Sequence, residues 1–320
     1  MAERFLIARL SSLGDVVCSL PVAARLRADF PNSEITWAVD PRFAGIVECC
    51  TAVNHVVKCK PRFKPSTWPT FDGEFDAAID LQGLSKSAIV VARSKARQKV
   101  GYHWQREGSW LFSRAVMPDP TSLHVVDQYV DVARYIAQSH SSQASGDRAE
   151  FALKPLEEDV NLVQELLASK GVKGRFVLAN AGAGWVSKRW PAASFAKVSD
   201  VLHENGIPMV FLGGKADEDR AAIGEVQGHA NHPVVSVVGE TGVRQLVALC
   251  SLASAHLGGD TGSTHLAAAL GIPAVGLYSI TKPVRSCPYG QIDRSHYEPS
   301  GLTQIRPEAV LNTIMEVLAC

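Results

Sequence analysis

The first feature of this sequence that suggests chemistry is a turn rich in glycine and hydroxyl residues, Gly259-Asp-Thr-Gly-Ser-Thr264. It follows a short apolar run typical of a strand, and we predict a helix from His265 to Leu270 after it. Backbone N–H groups and the helix dipole at such a position favour a bound anion, for example a phosphate. The alternative is an ordinary strand–turn–helix connection in which Asp260 or Ser263 caps the helix.

A second candidate loop, Leu10-Ser-Ser-Leu-Gly-Asp15, follows the first predicted strand, Phe5–Arg9, and precedes a helix predicted from Val16 to Phe30. In open α/β sheets, ligands bind at the carboxyl ends of the strands. A carboxylate there can accept a proton from a substrate hydroxyl. The alternative role for Asp15 is that of a helix N-cap.

Cations accompany both halves of the sequence. Lys188 and Arg189 follow a glycine-rich strand end, where they can neutralise a pyrophosphate, although a surface pair is the alternative. A basic loop, Lys58–Lys64, follows the third predicted strand. A second basic group clusters around the helix after the fourth predicted strand and lies partly on one face of that helix, where solvated charge is the alternative; its members are Lys86, Arg93, Lys95, Arg97 and Lys99.

Aromatic and polar side chains are mixed in the segment Tyr102-His-Trp-Gln-Arg-Glu-Gly108. Such a mixture suits recognition of sugars and anions better than it suits a core. His124 precedes an amphipathic helix predicted to end at Gln138, so it is either a ligand to substrate or a residue of the helix cap.

Strands and helices alternate along both halves, which predicts an α/β fold with parallel, doubly wound sheets. The polar segment Ser139–Arg148 has the composition of a linker. We therefore predict two domains, residues 1–145 and residues 146–320. No GxGxxG follows a strand and no GxxxxGK[ST] occurs, which disfavours a nicotinamide dehydrogenase and a P-loop NTPase.

The composition excludes several classes of protein. The 32 basic residues balance the 32 acidic ones, so nothing in the net charge favours nucleic acid as a partner. The seven cysteines form no CxxC pair, which argues against structural zinc and a disulfide framework and favours a cytoplasmic protein. No apolar run reaches the roughly 18 residues that span a bilayer, so any membrane contact is expected to be peripheral.

The sequence resembles the ADP-heptose:lipopolysaccharide heptosyltransferases, glycosyltransferase family 9. The resemblance extends over nearly the whole chain and is closest to the heptosyltransferase I type. It rests on four segments: Arg9–Val17, Phe75–Ala88, Ser187–Pro191 and Gly259–Pro273. The family's GT-B fold has two Rossmann-like domains that face a central cleft, and the resemblance leaves open that the C-terminal helix packs back onto the N-terminal domain.

For the donor half, the resemblance implies that the C-terminal domain binds ADP-heptose. Lys188, with Arg189, would hold the diphosphate. Glu218 would contact the ribose, with Asp217 as an equal alternative. The sugar or pyrophosphate would be contacted by residues of the glycine-containing turn and its helix: Asp260, Thr261, Gly262, Ser263 and His265.

For the acceptor half, the resemblance makes Asp15 the general base, in a loop shaped by Ser11, Ser12 and Gly14. The acceptor would be the acidic Kdo/lipid A part of lipopolysaccharide, at the cytoplasmic face of the inner membrane. The remaining acceptor-binding residues would be Lys60, Arg62, Lys64, Gln82, Lys86 and His103.

These expectations define an inverting glycosyltransferase that needs neither a metal nor another cofactor. Two alternatives stay open. One is another GT-B enzyme that acts on a sugar nucleotide, either a non-hydrolysing epimerase or an enzyme with a different donor. The other is a sugar-nucleotide-binding protein without catalysis.

Overall fold

The computed structural model describes residues 2–62, 64–140, 149–182 and 189–319. The chain forms two compact units, Met1–Lys154 and Pro155–Cys320. The sequence analysis placed the boundary at residue 145, within the polar segment. Within the described residues, none of the helices combines the length and the apolar character needed to cross a membrane.

The first unit contains a parallel sheet with the strand order β3-β2-β1-β4-β5-β6. Its strands are β1 (Arg4–Ala8), β2 (Glu34–Val39), β3 (His55–Lys58), β4 (Phe75–Asp80), β5 (Ala96–Tyr102) and β6 (Arg114–Val116). Its helices are α1 (Leu13–Asp29), α2 (Ala44–Glu48), α3 (Ser85–Arg93) and α4 (Val125–Ser139).

Strand β1 lies in the middle of this sheet because its sequence is apolar on both faces. Phe5, Leu6 and Ile7 are fully buried, as expected for a parallel strand covered by helices on each side. The strand pairs with β2 on one side and with β4 on the other. It therefore holds the loop that contains Asp15 at the centre of the unit.

The second unit repeats the architecture, with the strand order β12-β11-β10-β7-β8-β9 and parallel pairing throughout. Its strands are β7 (Val177–Asn180), β8 (Met209–Phe211), β9 (Val235–Ser236), β10 (Ala255–Gly259), β11 (Ala274–Tyr278) and β12 (Ser295–Tyr297). Its helices are α5 (Glu157–Ser169), α6 (Ala192–Glu204), α7 (Asp217–His229), α8 (Val243–Leu252), α9 (Gly262–Ala269), α10 (Pro283–Ser286) and α11 (Pro307–Ala319).

The C-terminal helix α11 belongs to the core of the second unit. Val310, Ile314 and Leu318 recur every four residues, so they share one face of the helix, and all three are buried. That face packs with α6 and with the apolar side chains of the sheet. The helix thus completes the second unit.

The structure contains three strands that the sequence analysis did not predict: β5, β6 and β12. The second basic group lies only partly on a helix, as predicted, because α3 ends at Arg93 while Arg97 and Lys99 lie in β5. Polar residues occupy much of β5, whose sequence is ARQKVGY, so it lacks the apolar run that identified the other strands.

Each sheet reverses its strand order at one point. In the first unit the reversal lies between β1 and β4, and in the second it lies between β7 and β10. The loops that leave the carboxyl ends of such strand pairs border the crevice in which open α/β sheets bind ligands. Both candidate loops, the one ending at Asp15 and the one starting at Asp260, follow a strand of such a pair.

Candidate functional site

Asp15 lies in the first turn of α1, which begins at Leu13 and has Ser12 as its N-cap. The Asp15 carboxylate accepts hydrogen bonds from the backbone N–H of Ser12, at 3.2 Å, and from its hydroxyl, at 2.8 Å. This is the carboxylate half of a capping box. Ser12 rather than Asp15 therefore occupies the cap position, which corrects the alternative role considered for Asp15.

A buried arginine holds the other oxygen of this carboxylate. Arg9 Nη2 lies 2.8 Å from Asp15 Oδ1, and the side chain of Arg9 is only 7% exposed, whereas that of Asp15 is 46% exposed. The guanidinium also donates to the Leu81 carbonyl and stands 5.3 Å from the centre of the Tyr129 ring. Asp15 is thus fixed from inside the unit and open to a substrate from outside.

These contacts determine the protonation state of Asp15. Partial burial opposes ionisation, but the charge of Arg9 and the hydrogen bonds from Ser12 outweigh it and hold the pKa of Asp15 below its ordinary value. Asp15 is therefore a carboxylate at neutral pH. It can accept a hydrogen bond from an acceptor hydroxyl, and the proton as the new bond forms.

Gln82 joins the Asp15 loop to the end of β4. Its Oε1 accepts from the backbone N–H of Leu10 at 2.9 Å, and its Nε2 lies 3.5 Å from Ser11 Oγ. The buried Asp80 holds this turn by accepting from the N–H groups of Gln82 and Gly83, at 2.9 and 2.8 Å. Burial raises the pKa of Asp80, and its contacts indicate that it shapes the loop.

The predicted basic residues lie at the same edge of the sheet, in the connections that follow other strands. Lys60, Arg62 and Lys64 are exposed in the connection after β3, and Lys86 is exposed in the first turn of α3. His103 follows β5 and is half-buried. Strands β3 and β5 each stand two positions from β1, about 10 Å away, so these residues flank the Asp15 loop on both sides. Gly14 lies between Ser12 and Asp15, in the same helical turn.

His124 is the N-cap of α4, and its Nδ1 accepts a hydrogen bond from the backbone N–H of Val126 at 3.2 Å. It is buried. Of the two roles considered for His124, the structure supports the one in the helix cap.

In the second unit, a hydrogen-bonded network holds the start of α9. Thr261 is the N-cap, which corrects the alternative that Asp260 or Ser263 has this role, and Gly262 is the first helical residue. Asn180 Nδ2 donates to Ser263 Oγ at 3.0 Å, and His256 Nε2 lies 3.1 Å from the same oxygen. These contacts connect the switch-point strands β7 and β10 to the first turn of the helix.

Thr264 anchors the same turn from the other side. Its hydroxyl donates to the Gly259 carbonyl at 2.7 Å and lies 3.1 Å from Thr261 Oγ1. Gly258 has to be glycine here, because a Cβ would come within 2.9 Å of both Thr264 Oγ1 and His256 Cε1. The hydroxyls thus fix the turn, and a helix start held in this way can bind an anion through its first-turn amides.

Burial sets the charge of His256, which lies near this turn. Burial, together with the proximity of His265, lowers the pKa of the fully buried His256 to about 3, so His256 is neutral. His265 Nε2 lies 3.3 Å from Asp260 Oδ1. Asp260 and His265, both predicted donor residues, are thus brought into one contact.

A family model supports what this geometry suggests. The model described as glycosyltransferase family 9 (heptosyltransferase) matches residues 71–299, well over half of the 320 residues. The chain belongs to glycosyltransferase family 9. This membership confirms the resemblance and makes the protein a glycosyltransferase.

Similar proteins of this family agree with that assignment. Lipopolysaccharide core heptosyltransferase OpsX of Haemophilus influenzae is 26% identical over 293 residues, which cover 90% of this chain and 82% of the relative. Lipopolysaccharide heptosyltransferase 1 of Escherichia coli K12 is 26% identical over 330 residues, which cover 97% and 99%. The solved structure of E. coli heptosyltransferase WaaC with ADP has a TM-score of 0.79 at 23% identity, covering 98% and 99%. The predicted GT-B fold is thereby confirmed.

Two of the remaining predicted donor residues, Arg189 and Glu218, lie after β7 and after β8, respectively. Lys188 falls outside the described residues. Arg189 is half-buried and precedes Trp190, whose indole is buried and donates to the Ile305 carbonyl at 3.0 Å. Glu218 is exposed in the first turn of α7, as is Asp217.

Asp219 is the carboxylate of α7 that turns toward the loops at the ends of β7 and β8. Its Oδ2 accepts from the Gly214 N–H at 2.7 Å, and a Cβ at Gly182 would come within 2.6 Å of its Oδ1. The sequence analysis missed this residue because three acids stand in a row at the start of α7. It also missed Asn180 and His256 as site residues. An asparagine directly after a strand is a signal that could have identified Asn180, whereas a histidine inside the apolar strand β10 gives none.

Across the described ranges, no group of three or more His, Cys, Asp and Glu residues is arranged to hold a metal ion.

Proposed function

We propose that this member of glycosyltransferase family 9 transfers heptose from ADP-heptose to the Kdo/lipid A inner core of lipopolysaccharide, with inversion at the anomeric carbon. The family match carries the proposal. It is supported by relatives named lipopolysaccharide heptosyltransferase 1 and lipopolysaccharide core heptosyltransferase, which this chain matches over most of their length. The similar WaaC structure, with ADP, supports adenine as the base of the donor nucleotide.

In the proposed reaction, the acceptor hydroxyl gives its proton to Asp15 as its oxygen bonds to the anomeric carbon. The bond between that carbon and the diphosphate oxygen breaks, and ADP leaves with its electron pair. Asp15 suits this role because Arg9 and Ser12 hold its carboxylate in place at 2.8 Å each while nearly half of the side chain stays exposed. Ser11, Ser12, Gly14 and Gln82 keep the loop in shape.

The leaving diphosphate is proposed to bind at the start of α9. The first-turn amides and the helix dipole stabilise the charge that develops on the diphosphate, and Lys188 and Arg189 add positive charge. Asp260, Thr261, Gly262, Ser263 and His265 would contact the donor there, and Glu218 would contact the ribose.

The acceptor is proposed to be acidic and attached to a lipid. Lys60, Arg62, Lys64 and Lys86 are exposed along the edge that carries Asp15, where they can pair with carboxylates or phosphates, and His103 can add a hydrogen bond. A lipid-attached acceptor implies peripheral contact with the cytoplasmic face of the inner membrane.

Turnover assays with a panel of donors test this proposal. The purified protein is given ADP-heptose, a UDP-sugar or a GDP-sugar, each with and without Kdo-lipid A, and both the release of nucleoside diphosphate and the identity of the remaining sugar nucleotide are measured. We expect turnover only with ADP-heptose and acceptor together. Conversion of a donor without acceptor would indicate an epimerase instead, and ADP binding without any turnover would indicate a binding protein.

Metal independence is a separate expectation of the proposed mechanism. The start of α9 and Lys188 supply the positive charge that a divalent cation brings to other glycosyltransferases. The rate of transfer should therefore be unchanged in EDTA. Loss of activity in EDTA that Mg²⁺ or Mn²⁺ restores would contradict the mechanism.

A further inference from the structure

Large apolar side chains are exposed together in residues 104–123, which we call the aromatic segment. All of the exposed large apolar side chains within the described residues of the first unit lie in it: Trp104, Trp110, Leu111, Phe112, Met117 and Leu123. A concentration of exposed apolar side chains in one short segment indicates an interaction site. Scattered exposure would need no explanation, but this concentration does.

The aromatic segment has a hydrogen-bonded backbone at the edge of the sheet. It connects β5 to β6 and continues beyond β6, and a short 3₁₀ helix, Ser109–Leu111, presents Trp110 and Leu111 to solvent. The backbone N–H of Ser109 donates to the Arg106 carbonyl at 3.0 Å. The exposed side chains are therefore held out by an ordered backbone.

The aromatic segment is tied directly to the candidate catalytic loop. Arg106 N–H donates to the Gly83 carbonyl at 2.8 Å, and Gly83 packs so closely on the Trp104 carbonyl that a side chain there would clash. Gly83 follows Gln82, which binds the backbone of the Asp15 loop. The aromatic segment and the Asp15 loop thus both contact the turn at Gln82 and Gly83.

Cations border the aromatic segment. Arg106 and Arg114 are exposed, and the Arg106 guanidinium lies 5.8 Å from the centre of the Trp104 ring. Lys86 is exposed as well and lies near Glu107, one of the two carboxylates of the segment. Glu107 and the other carboxylate, Asp119, are also exposed and accept hydrogen bonds from Ser85 and Thr121, respectively. The three exposed cations Lys86, Arg106 and Arg114 thus outnumber the two carboxylates.

We propose that the aromatic segment docks the enzyme on the surface of an anionic lipid bilayer. Tryptophan and arginine favour the boundary between water and lipid, where the rings meet acyl chains and the guanidinium meets phosphate. The inference rests on the proposed function, because a lipid-attached acceptor has to reach Asp15 while its anchor stays in the bilayer. It identifies the surface that faces the membrane.

Vesicle sedimentation tests the proposal without donor or acceptor, so that its outcome does not depend on the proposed sugar. The protein is mixed with vesicles of phosphatidylcholine alone or with phosphatidylglycerol added, and the bound fraction is measured. We expect binding to the anionic vesicles that high salt weakens. The variant Leu111→Ser/Met117→Ser removes two side chains that are 74% and 73% exposed, and its affinity should fall at least about tenfold because their burial in lipid is lost.

The matched control is Leu162→Ser, a change at a 50% exposed apolar residue of α5 in the second unit. It should bind the anionic vesicles as the unmodified protein does. Equal binding by the Leu111→Ser/Met117→Ser variant, or no binding by the unmodified protein, would overturn the proposal. The proposal would also be overturned if light scattering found the unmodified protein dimeric and the double variant monomeric, because the aromatic segment would then be buried between two copies of this chain.

A kinetic measurement then separates docking from chemistry. With Kdo-lipid A in vesicles, the KM of the double variant for the acceptor should rise about tenfold, while a deacylated, water-soluble acceptor should give an unchanged kcat and KM. Equal losses with both acceptors would contradict a docking role.

Discussion

Asp15 combines a structural role and a candidate catalytic role in one side chain. Its carboxylate closes the capping box with Ser12 and pairs with the buried Arg9. With both contacts in place, the side chain of Asp15 is still 46% exposed. A substitution at Asp15 therefore changes stability as well as rate, and the two effects need a control that separates them.

Asp15→Asn should lower the transfer rate by roughly 10²–10⁴-fold, because asparagine cannot accept the proton. It should also cost about 1–2 kcal/mol of unfolding free energy, because Arg9 loses its charge partner while Asp15 is only half-buried. Rate assays and urea unfolding measure the two effects, and ADP affinity should stay unchanged.

Asp159→Asn provides the matched control. Asp159 occupies the same position in the first turn of α5 and pairs with Arg244 at 2.9 Å. This variant should lose stability but keep its rate. If Asp15→Asn loses no more activity than Asp159→Asn, Asp15 is a structural residue only.

His256 should make the stability of the second unit depend on pH. Its pKa is lowered to about 3 in the folded protein by burial and by His265, whereas an unfolded chain has a histidine pKa of about 6.5. Between these values the unfolded state binds the extra proton, so stability falls as the pH falls below about 6.5. The loss from pH 6.5 to pH 5 should reach about 2 kcal/mol.

Urea unfolding at pH 7 and pH 5 measures this effect. In His256→Gln, which keeps a polar group near Ser263, the difference between the two pH values should shrink by about that 2 kcal/mol. An identical pH dependence in both proteins would show that His256 is protonated as easily in the folded as in the unfolded state.

At the scale of elements, the turn Gly259–Thr264 at the start of α9 is held by side chains from two neighbouring strands. Asn180 at the end of β7 donates to Ser263 and accepts from the Gly182 N–H at 3.0 Å, so one side chain fixes two loops. His256 in β10 holds Ser263 from the other side. The parallel register of β7 and β10, which aligns Asn180 with Gly258, brings these residues together.

Asn180→Ala should weaken ADP binding about 5–30-fold, because the loops lose two hydrogen bonds that set the position of the anion-binding amides. Calorimetry with ADP measures it. Asn205→Ala is the control, since the Asn205 side chain donates to Val201 O of its own helix; this variant should leave ADP affinity unchanged. Unaltered binding in Asn180→Ala would move the nucleotide site away from this loop.

At the scale of the whole molecule, each unit has its own sheet, its own core and its own switch point. Each Rossmann-like unit can therefore bind a ligand, and be stabilised by it, independently of the other unit. The assignment of donor to the second unit and acceptor to the first is a prediction that this independence makes testable.

Hydrogen exchange followed by mass spectrometry should show ADP protecting the second unit. At about 100 times its Kd, ADP stabilises the state that binds it by about 2.7 kcal/mol, and the slower exchange should be concentrated in β7, β10 and α9. Peptides from β1 and α1 should exchange as before. Protection of residues 4–29 by ADP alone would reverse the assignment of the two units.

The sequence by itself determined the fold class, the two-unit organisation and the positions of both candidate loops. Apolar runs such as Phe5–Ile7 and glycine-rich turns such as Gly259–Thr264 are local signals, because burial on both faces requires continuous apolar residues and glycine is common in turns. The four segments of the family resemblance were also visible without a structure. Strand β5 was not predicted, because its polar residues give no such signal.

Only the tertiary structure decided which side chains meet. Arg9 and Asp15 are close in sequence, but Gln82 reaches their loop across 72 residues, and Asn180 reaches Ser263 across 83. Such contacts depend on strand order and register, which no local pattern encodes. Local patterns also do not show that Trp110 and Leu111 of the aromatic segment are exposed, because their exposure depends on which parts of the chain cover the edge of the sheet. They do not show either that Asp219 turns inward while Glu218 faces solvent.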